Sequence, residues 1–259
     1  MIKDYYFDKV IYRKRFPPLP ATNHLQLVIK ELGKKYSVIF HDDDLMEKNY
    51  VAGMLEFMER NCEYLAACPN AYIMRGNKRT SQKFYPNASP ITIIQGSCKV
   101  ARNYIDLSKF RMPFPGYIYR SEQIKKISIS NKEGGKHIDV SFLMKIGALG
   151  KIAWIGSSLM SYRIHEKNDT MYEDVYGRLS RLRFIYRNTV IKSSDPDIAF
   201  YKMAFWFLWL LGKKSNESNY KRKIIIKYLV FSIPLNCILH PIKALTLLKN
   251  RFYYIHHLI

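Results

Sequence analysis

Apolar side chains recur along this chain at two spacings. Leu25, Val28, Ile29 and Leu32 fall at i, i+3, i+4 and i+7, which predicts a helix over residues 23–32 capped by Thr22 or Asn23. Val51, Met54, Leu55 and Met58 repeat that spacing and predict a helix over 50–60; Val140, Leu143, Met144 and Ile146 predict another, opened by Asp139. Short β-branched and aromatic runs predict strands at 9–12, 36–40, 64–67, 91–94, 150–155 and 159–165. A Pro115-Gly116 turn opens one more, Tyr117-Ile118-Tyr119, which ends in charge at Arg120 and Glu122. Residues 75–90, rich in Lys, Asn, Ser and Pro, read as a loop, and 102–110 as a basic helix or loop. Strand, helix and strand over 9–40 form a βα crossover unit, so the fold class is α/β with parallel pairing expected.

After residue 170 the pattern changes. Residues 179–191 predict a basic amphipathic helix, and Asp195-Pro196 supplies an N-cap and first-turn proline for a helix over 198–211. Apolar stretches follow at 221–231 and 242–248, but Lys202, Lys227, Asn236, His240 and Lys243 interrupt any span of about 20 apolar residues. Two readings fit: helices lying in a bilayer interface with Trp and Tyr at headgroup depth, or a helical bundle packed on the preceding core. The expected division is therefore 1–170 and a basic, aromatic extension over 171–259.

Candidate chemistry centres on Asp42, Asp43 and Asp44, three carboxylates delivered at the C-terminal end of the apolar run 36–40. Open α/β sheets bind ligands at that end of their strands. Adjacent carboxylates repel, so they need a cation, a helix N-terminus or solvent around them. As hard oxygen ligands they suit Mg²⁺ or Mn²⁺, which share their remaining positions with substrate phosphates. The competing reading makes them a solvated cap for a helix starting near Glu47. Asp139 carries the same ambiguity, as a helix N-cap or as a carboxylate turned into a cleft.

Composition narrows the partner. Among 259 residues, 42 Lys+Arg against 21 Asp+Glu give a net charge of +21, which calls for an anionic partner. Zinc-ligand spacing and RNP-like signatures are lacking, so nucleic acid is not expected, whereas 20 Tyr and 14 Phe interleaved with basic residues suit an anionic membrane surface. Cys62, Cys68, Cys98 and Cys237 form no CxxC pair and no apolar leader precedes them, so free thiols and a cytoplasmic setting are expected.

Four stretches, in order, carry a resemblance: Val38-Ile39-Phe40-His41-Asp42-Asp43-Asp44-Leu45-Met46, Pro115-Gly116-Tyr117-Ile118-Tyr119-Arg120, His137-Ile138-Asp139-Val140-Ser141-Phe142-Leu143 and Leu159-Met160-Ser161-Tyr162-Arg163-Ile164-His165. Over residues 5–168 the chain resembles the family 2 glycosyltransferases of the GT-A fold, particularly bacterial enzymes that build surface polysaccharides. The resemblance implies a Rossmann-like mixed sheet flanked by helices, with a C-terminal helical extension. It implies an inverting, metal-dependent transfer of a sugar from a nucleotide-diphosphate sugar to a lipid-linked glycan acceptor. By it, Asp43 and His165 hold Mn²⁺ or Mg²⁺; Asp42, Asp44, Gly116 and Arg120 contact the nucleotide sugar; and Asp139 is the catalytic base. Arg163 is expected to be structural.

The chain departs from the family in three places. It lacks the first strand, helix and strand that hold the nucleotide base, His41 stands where many members carry an Asp, and Ile138 stands where an acidic residue often precedes the base. The expectation is an N-terminally truncated GT-A-like domain, at the inner face of the cell membrane, with a second polypeptide supplying the missing half. The alternative is an inactive remnant or split half that acts as an interaction module with a partner glycosyltransferase.

Overall fold

A computed structural model describes residues 14–106, 112–164, 175–198 and 201–202. Its elements run α1 (Ala21–Lys30), β1 (Tyr36–Ile39), β2 (Leu45–Met46), α2 (Tyr50–Arg60), β3 (Tyr64–Arg75), β4 (Lys78–Lys83), β5 (Ile91–Gln95), α3 (Ser97–Ile105), β6 (Tyr117–Arg120), α4 (Ser121–Ile124), α5 (Ile138–Leu149), β7 (Lys151–Ile164) and α6 (Val175–Asn188). The expected strand at 9–12 and the apolar stretches beyond 202 lie outside the described residues.

The seven described strands form one mixed sheet in the order β1-β6-β3-β7-β2, with β4 on β3 and β5 on β7. The expectation of parallel pairing is met only between β3 and β7. β1, β2, β4, β5 and β6 all pair antiparallel with their neighbours. β6 runs antiparallel between β1 and β3 and so separates two strands that a simple crossover would have placed side by side.

Side-chain alternation along the strands splits the interior into two cores. Tyr117 and Tyr119 of β6, Ala66 and Cys68 of β3, and Ile152 and Trp154 of β7 face one side, against Ile29 of α1, Val100 and Ala101 of α3, and Val140, Phe142 and Leu143 of α5. Ile118, Ala67 and Ala153, their neighbours in sequence, face the other side, against Tyr50, Met54 and Met58 of α2. Each fully buried Met or Phe stabilises by roughly 1.5–3 kcal/mol, so both faces of the sheet are held by helices.

Two strands differ from their sequence signal. Residues 78–83 form a strand although Lys-Arg-Thr-Ser-Gln-Lys offers no apolar position; its backbone pairs with β3 and most of its side chains stand in solvent. The two strands expected at 150–155 and 159–165 are one 14-residue strand, continuous through Gly156-Ser157-Ser158. Gly156 donates its N–H to Pro90 O at 2.9 Å, and a Cβ there would sit 2.5 Å from Ser89 O. A glycine at this point lets the 88–90 loop lie against the strand.

The described part of the C-terminal region packs on this domain. Leu182 and Ile185 of α6, with Ile191, Ile198 and Tyr201, lie in the same core as α3 and α5. Arg181 is buried with its guanidinium 5.0 Å from the Tyr201 ring, and Asp195 caps the turn at 196–198 by accepting the Asp197 N–H. For these residues packing on the core is the observed arrangement. Among the described residues no helix is long and apolar enough to cross a membrane. Cys62, Cys68 and Cys98 are free thiols.

Candidate metal centre

The acidic turn lies between β1 and β2, at the C-terminal end of β1. It does not cap a helix: α2 begins at Tyr50, with β2 in between, and its N-cap is Asn49. The sheet itself fixes the turn on both sides. Before it, Ile39 O accepts the Gly116 N–H at 2.9 Å. After it, Leu45 and Met46 pair with Ser161 and Met160 of β7, the Glu47 N–H donates to Leu159 O, and Ser161 Oγ donates to Glu47 Oε1 at 2.9 Å.

Within the turn the four polar residues divide. His41, Asp43 and Asp44 each present a ligand atom, and those atoms lie within 4.8 Å of one another, so the group could hold a metal ion. Asp42 is exposed and stands outside that group. Asp44 is 7% exposed. Its Oδ1 accepts the Arg163 backbone N–H at 2.8 Å, while Oδ2 is buried with no hydrogen-bond partner. Burial pushes the Asp44 carboxyl up to about 6, with repulsion from Asp43 adding to the rise and the Arg163 N–H opposing it. A buried oxygen without a partner costs free energy, and a bound cation is one of the few species that would remove that cost. One imidazole and two carboxylates form a donor set that fits a divalent ion.

Arg163 braces the turn, as expected of a structural residue. Its Nε donates to Asp43 O at 2.6 Å, and Nη1 donates to Asn77 Oδ1 at 2.9 Å and to Gly76 O in the β3–β4 connection. Arg79 of β4 adds an ion pair to Glu47 at 3.0 Å.

Gly116 lies at the same end of the sheet. Its φ of +90° suits glycine, and a Cβ would stand 2.5 Å from Met160 Sδ. The buried Tyr50 hydroxyl donates to Gly116 O at 2.7 Å. Burial raises the Tyr50 pKa far above the phenol range, keeping it a donor. Phe40 packs edge-on against Tyr50 with ring centroids 5.9 Å apart.

Arg120 lies elsewhere. Because β6 is antiparallel to β1, Tyr117 is opposite Ile39 and Arg120 is opposite Tyr36. At about 3.4 Å per residue, Arg120 is roughly 10 Å farther from the acidic turn than Tyr117. Its guanidinium donates to the carbonyls of Tyr64, Met58 and Asn61 and to the Tyr36 hydroxyl. Those bonds tie β6, β3 and the end of α2 together, so the structure does not bring Arg120 to the acidic turn with which it was expected to share the donor.

Asp139 occupies the first turn of α5 and is partly exposed. His137, whose side chain gives the helix no capping bond, is the N-cap residue. One turn on, Phe142 packs against Phe114, and Phe114 packs against His41, with centroids 6.4 Å apart in both pairs. The aromatic series connects the helix that carries Asp139 to the acidic turn. His165 lies outside the described residues.

Of this group only Asp43 was expected as a metal ligand; Asp44 was expected on the nucleotide sugar, and His41 was assigned no role. Its signal was adjacency, an imidazole immediately before three carboxylates at a strand end. Comparison with protein-family models and with curated proteins found no match to this chain.

Proposed function

We propose that this chain is a glycosyltransferase of the family 2 type with a GT-A-like fold, moving a sugar from a nucleotide-diphosphate sugar to a lipid-linked glycan acceptor with inversion. The observation that carries the reading is the His41, Asp43 and Asp44 group at the C-terminal end of β1. With it go the four motifs in the family's order and the aromatic path from the turn to the helix of Asp139.

Asp43, Asp44 and His41 would hold Mn²⁺ or Mg²⁺ at the turn, and His165 stays a candidate for the same ion or the pyrophosphate. Once bound, the ion would serve as a Lewis acid for the charge that develops on the leaving diphosphate. Asp42, exposed beside the cluster, is available to hydroxyls of the donor. Asp139 takes the proton of the acceptor hydroxyl as its oxygen attacks the anomeric carbon and the bond to phosphate breaks. A positioned general base of this kind contributes about 10²- to 10⁴-fold. The +21 charge supports work at an anionic membrane surface, peripheral at its inner face.

One observation favours a second reading, a split half docked on a partner glycosyltransferase. Among the described residues β1 pairs along one edge only, with β6, and Tyr36 to Ile39 are all just half-buried. A polypeptide adding a strand there would complete the sheet.

The test is thermal unfolding of the purified chain with Mn²⁺ or Mg²⁺ and a panel of nucleoside diphosphates. A ligand at ~100 times its dissociation constant adds about 2.7 kcal/mol, or roughly 5–10 °C for a domain of this size. A shift that needs metal and nucleotide together and disappears in Asp43→Ala supports the enzyme. No shift in the folded chain alone, with one appearing when a partner is added, supports the split half.

A further inference from the structure

The donor set of the acidic turn separates two kinds of divalent ion, a distinction that rests on the metal-binding reading just given. Mg²⁺ demands near-octahedral oxygen coordination and gives up its waters reluctantly. Imidazole nitrogen suits first-row transition ions, of which Mn²⁺ is the weakest binder, while carboxylates serve Mn²⁺ and Mg²⁺ alike; nitrogen adds little for Mg²⁺, which holds to oxygen. His41, Asp43 and Asp44 offer one nitrogen and two oxygens within 4.8 Å of one another, whereas Asp42, the residue that would have made the set all-oxygen, stands outside.

Two further features bear on how the cluster could take a ligand. Asp44 is more than nine-tenths buried, and its Oδ2 has no hydrogen-bond partner. The Arg163 N–H occupies Oδ1, which leaves Oδ2 as the atom available to an ion and fixes the carboxylate from behind, as groups bonded to metal ligands do. The His41 ring packs against Phe114, which itself packs on Phe142. That contact restricts the imidazole without using either ring nitrogen.

We infer that His41 is a metal ligand and that this nitrogen makes the site select a transition-metal ion of the Mn²⁺ class over Mg²⁺. Asp43 and Asp44 supply the charge, and His41 supplies the discrimination. The remaining coordination positions are left to water or substrate phosphate oxygens.

The experiment uses the full chain and the metals alone, without nucleotide. Mn²⁺ is titrated while its free EPR signal is followed, with Mg²⁺ as competitor, for the wild type, His41→Ala, His41→Asp and Asp43→Ala. Pulsed EPR of the bound Mn²⁺ reports nitrogen coupling directly. The expected results are a ¹⁴N coupling in the wild type that is lost in His41→Ala, and tighter binding of Mn²⁺ than of Mg²⁺ in the wild type. In His41→Asp, where the set becomes all-oxygen, that preference should fall toward unity. His41 is exposed, so its replacement leaves the core intact, and the wild-type spectrum does not depend on any variant. Mn²⁺ that binds in an Asp43-dependent way with no nitrogen coupling, or with affinity unchanged in His41→Ala, overturns the role of His41 and leaves the metal site standing. Binding of neither ion by the wild type overturns the metal site itself.

Discussion

The backbone N–H of Arg163 donates to Asp44 Oδ1 at 2.8 Å, so β7 bonds directly to the acidic turn that follows β1. The Arg163 side chain continues the connection through Asp43 O and Asn77 Oδ1. One residue therefore orients a buried carboxylate with its main chain and holds the preceding carbonyl, Asp43 O, with its side chain.

Arg163→Ala keeps the main-chain bond and removes the rest. The expected cost is roughly 1–2 kcal/mol, since hydrogen bonds from a charged donor are lost at a partly exposed site. Thermal unfolding should show this as a drop of about 2–8 °C, and Mn²⁺ affinity should fall by roughly tenfold. An unchanged affinity in a destabilised protein would mean that the side chain braces the fold and not the turn.

Arg120 gives the opposite expectation. Its guanidinium serves three backbone carbonyls and one hydroxyl, a fork that an ammonium group cannot reproduce. Arg120→Lys should cost about 2–3 kcal/mol in urea unfolding while leaving KM for the donor unchanged. A raised KM at unchanged stability would restore Arg120 to the donor site.

How far the sequence disclosed these roles depended on whether the signal was local. The helix of Met54 and Met58 was legible to its end residues because both side chains are buried at i, i+4, and the apolar run before the three Asp residues marked β1. β4 was not legible, because its ladder with β3 is a backbone interaction that Lys78 to Lys83 do not advertise. The surroundings of Arg120 were not legible for a related reason. It stands four residues after Gly116 in sequence, but an antiparallel strand carries it away from the acidic turn, and strand direction is not encoded in the strand's own residues. His41 needed the fold to set its imidazole beside two of the three carboxylates.

Gly116 tests the packing beneath the turn. A Cβ at φ +90° near Met160 Sδ meets both backbone strain and a side chain that must move. Gly116→Ala should destabilise by about 1–2 kcal/mol from the backbone alone, plus the cost of displacing Met160. Tyr50→Phe removes only the bond to Gly116 O and should cost about 1 kcal/mol, leaving metal affinity intact. Metal affinity that falls in Gly116→Ala but holds in Tyr50→Phe would place the sensitivity in the backbone path from Gly116 to Ile39.

The buried carboxyl of Asp44 sets a pH dependence for the chain held metal-free with a chelator. Its folded-state value is raised from 3.8 to about 6, so between about pH 4 and 6 the native state keeps a proton that the unfolded chain releases. Stability therefore falls as pH rises through that window, because the unfolded state binds fewer protons. Above about pH 6 the ionised carboxylate is a standing cost, and below about pH 4 the cost is gone. Asp44→Asn removes the charge, so it should be more stable than the wild type at pH 7.5 and show little advantage at pH 4. Thermal unfolding of both proteins across this range checks the sign, since groups common to both cancel in the difference. Adding Mn²⁺ to the wild type at pH 7.5 should offset the cost of the charge, and Asp44→Asn should gain less from it. A wild type that stays the more stable protein at pH 7.5 without metal would mean that the Arg163 N–H alone satisfies the charge on Asp44.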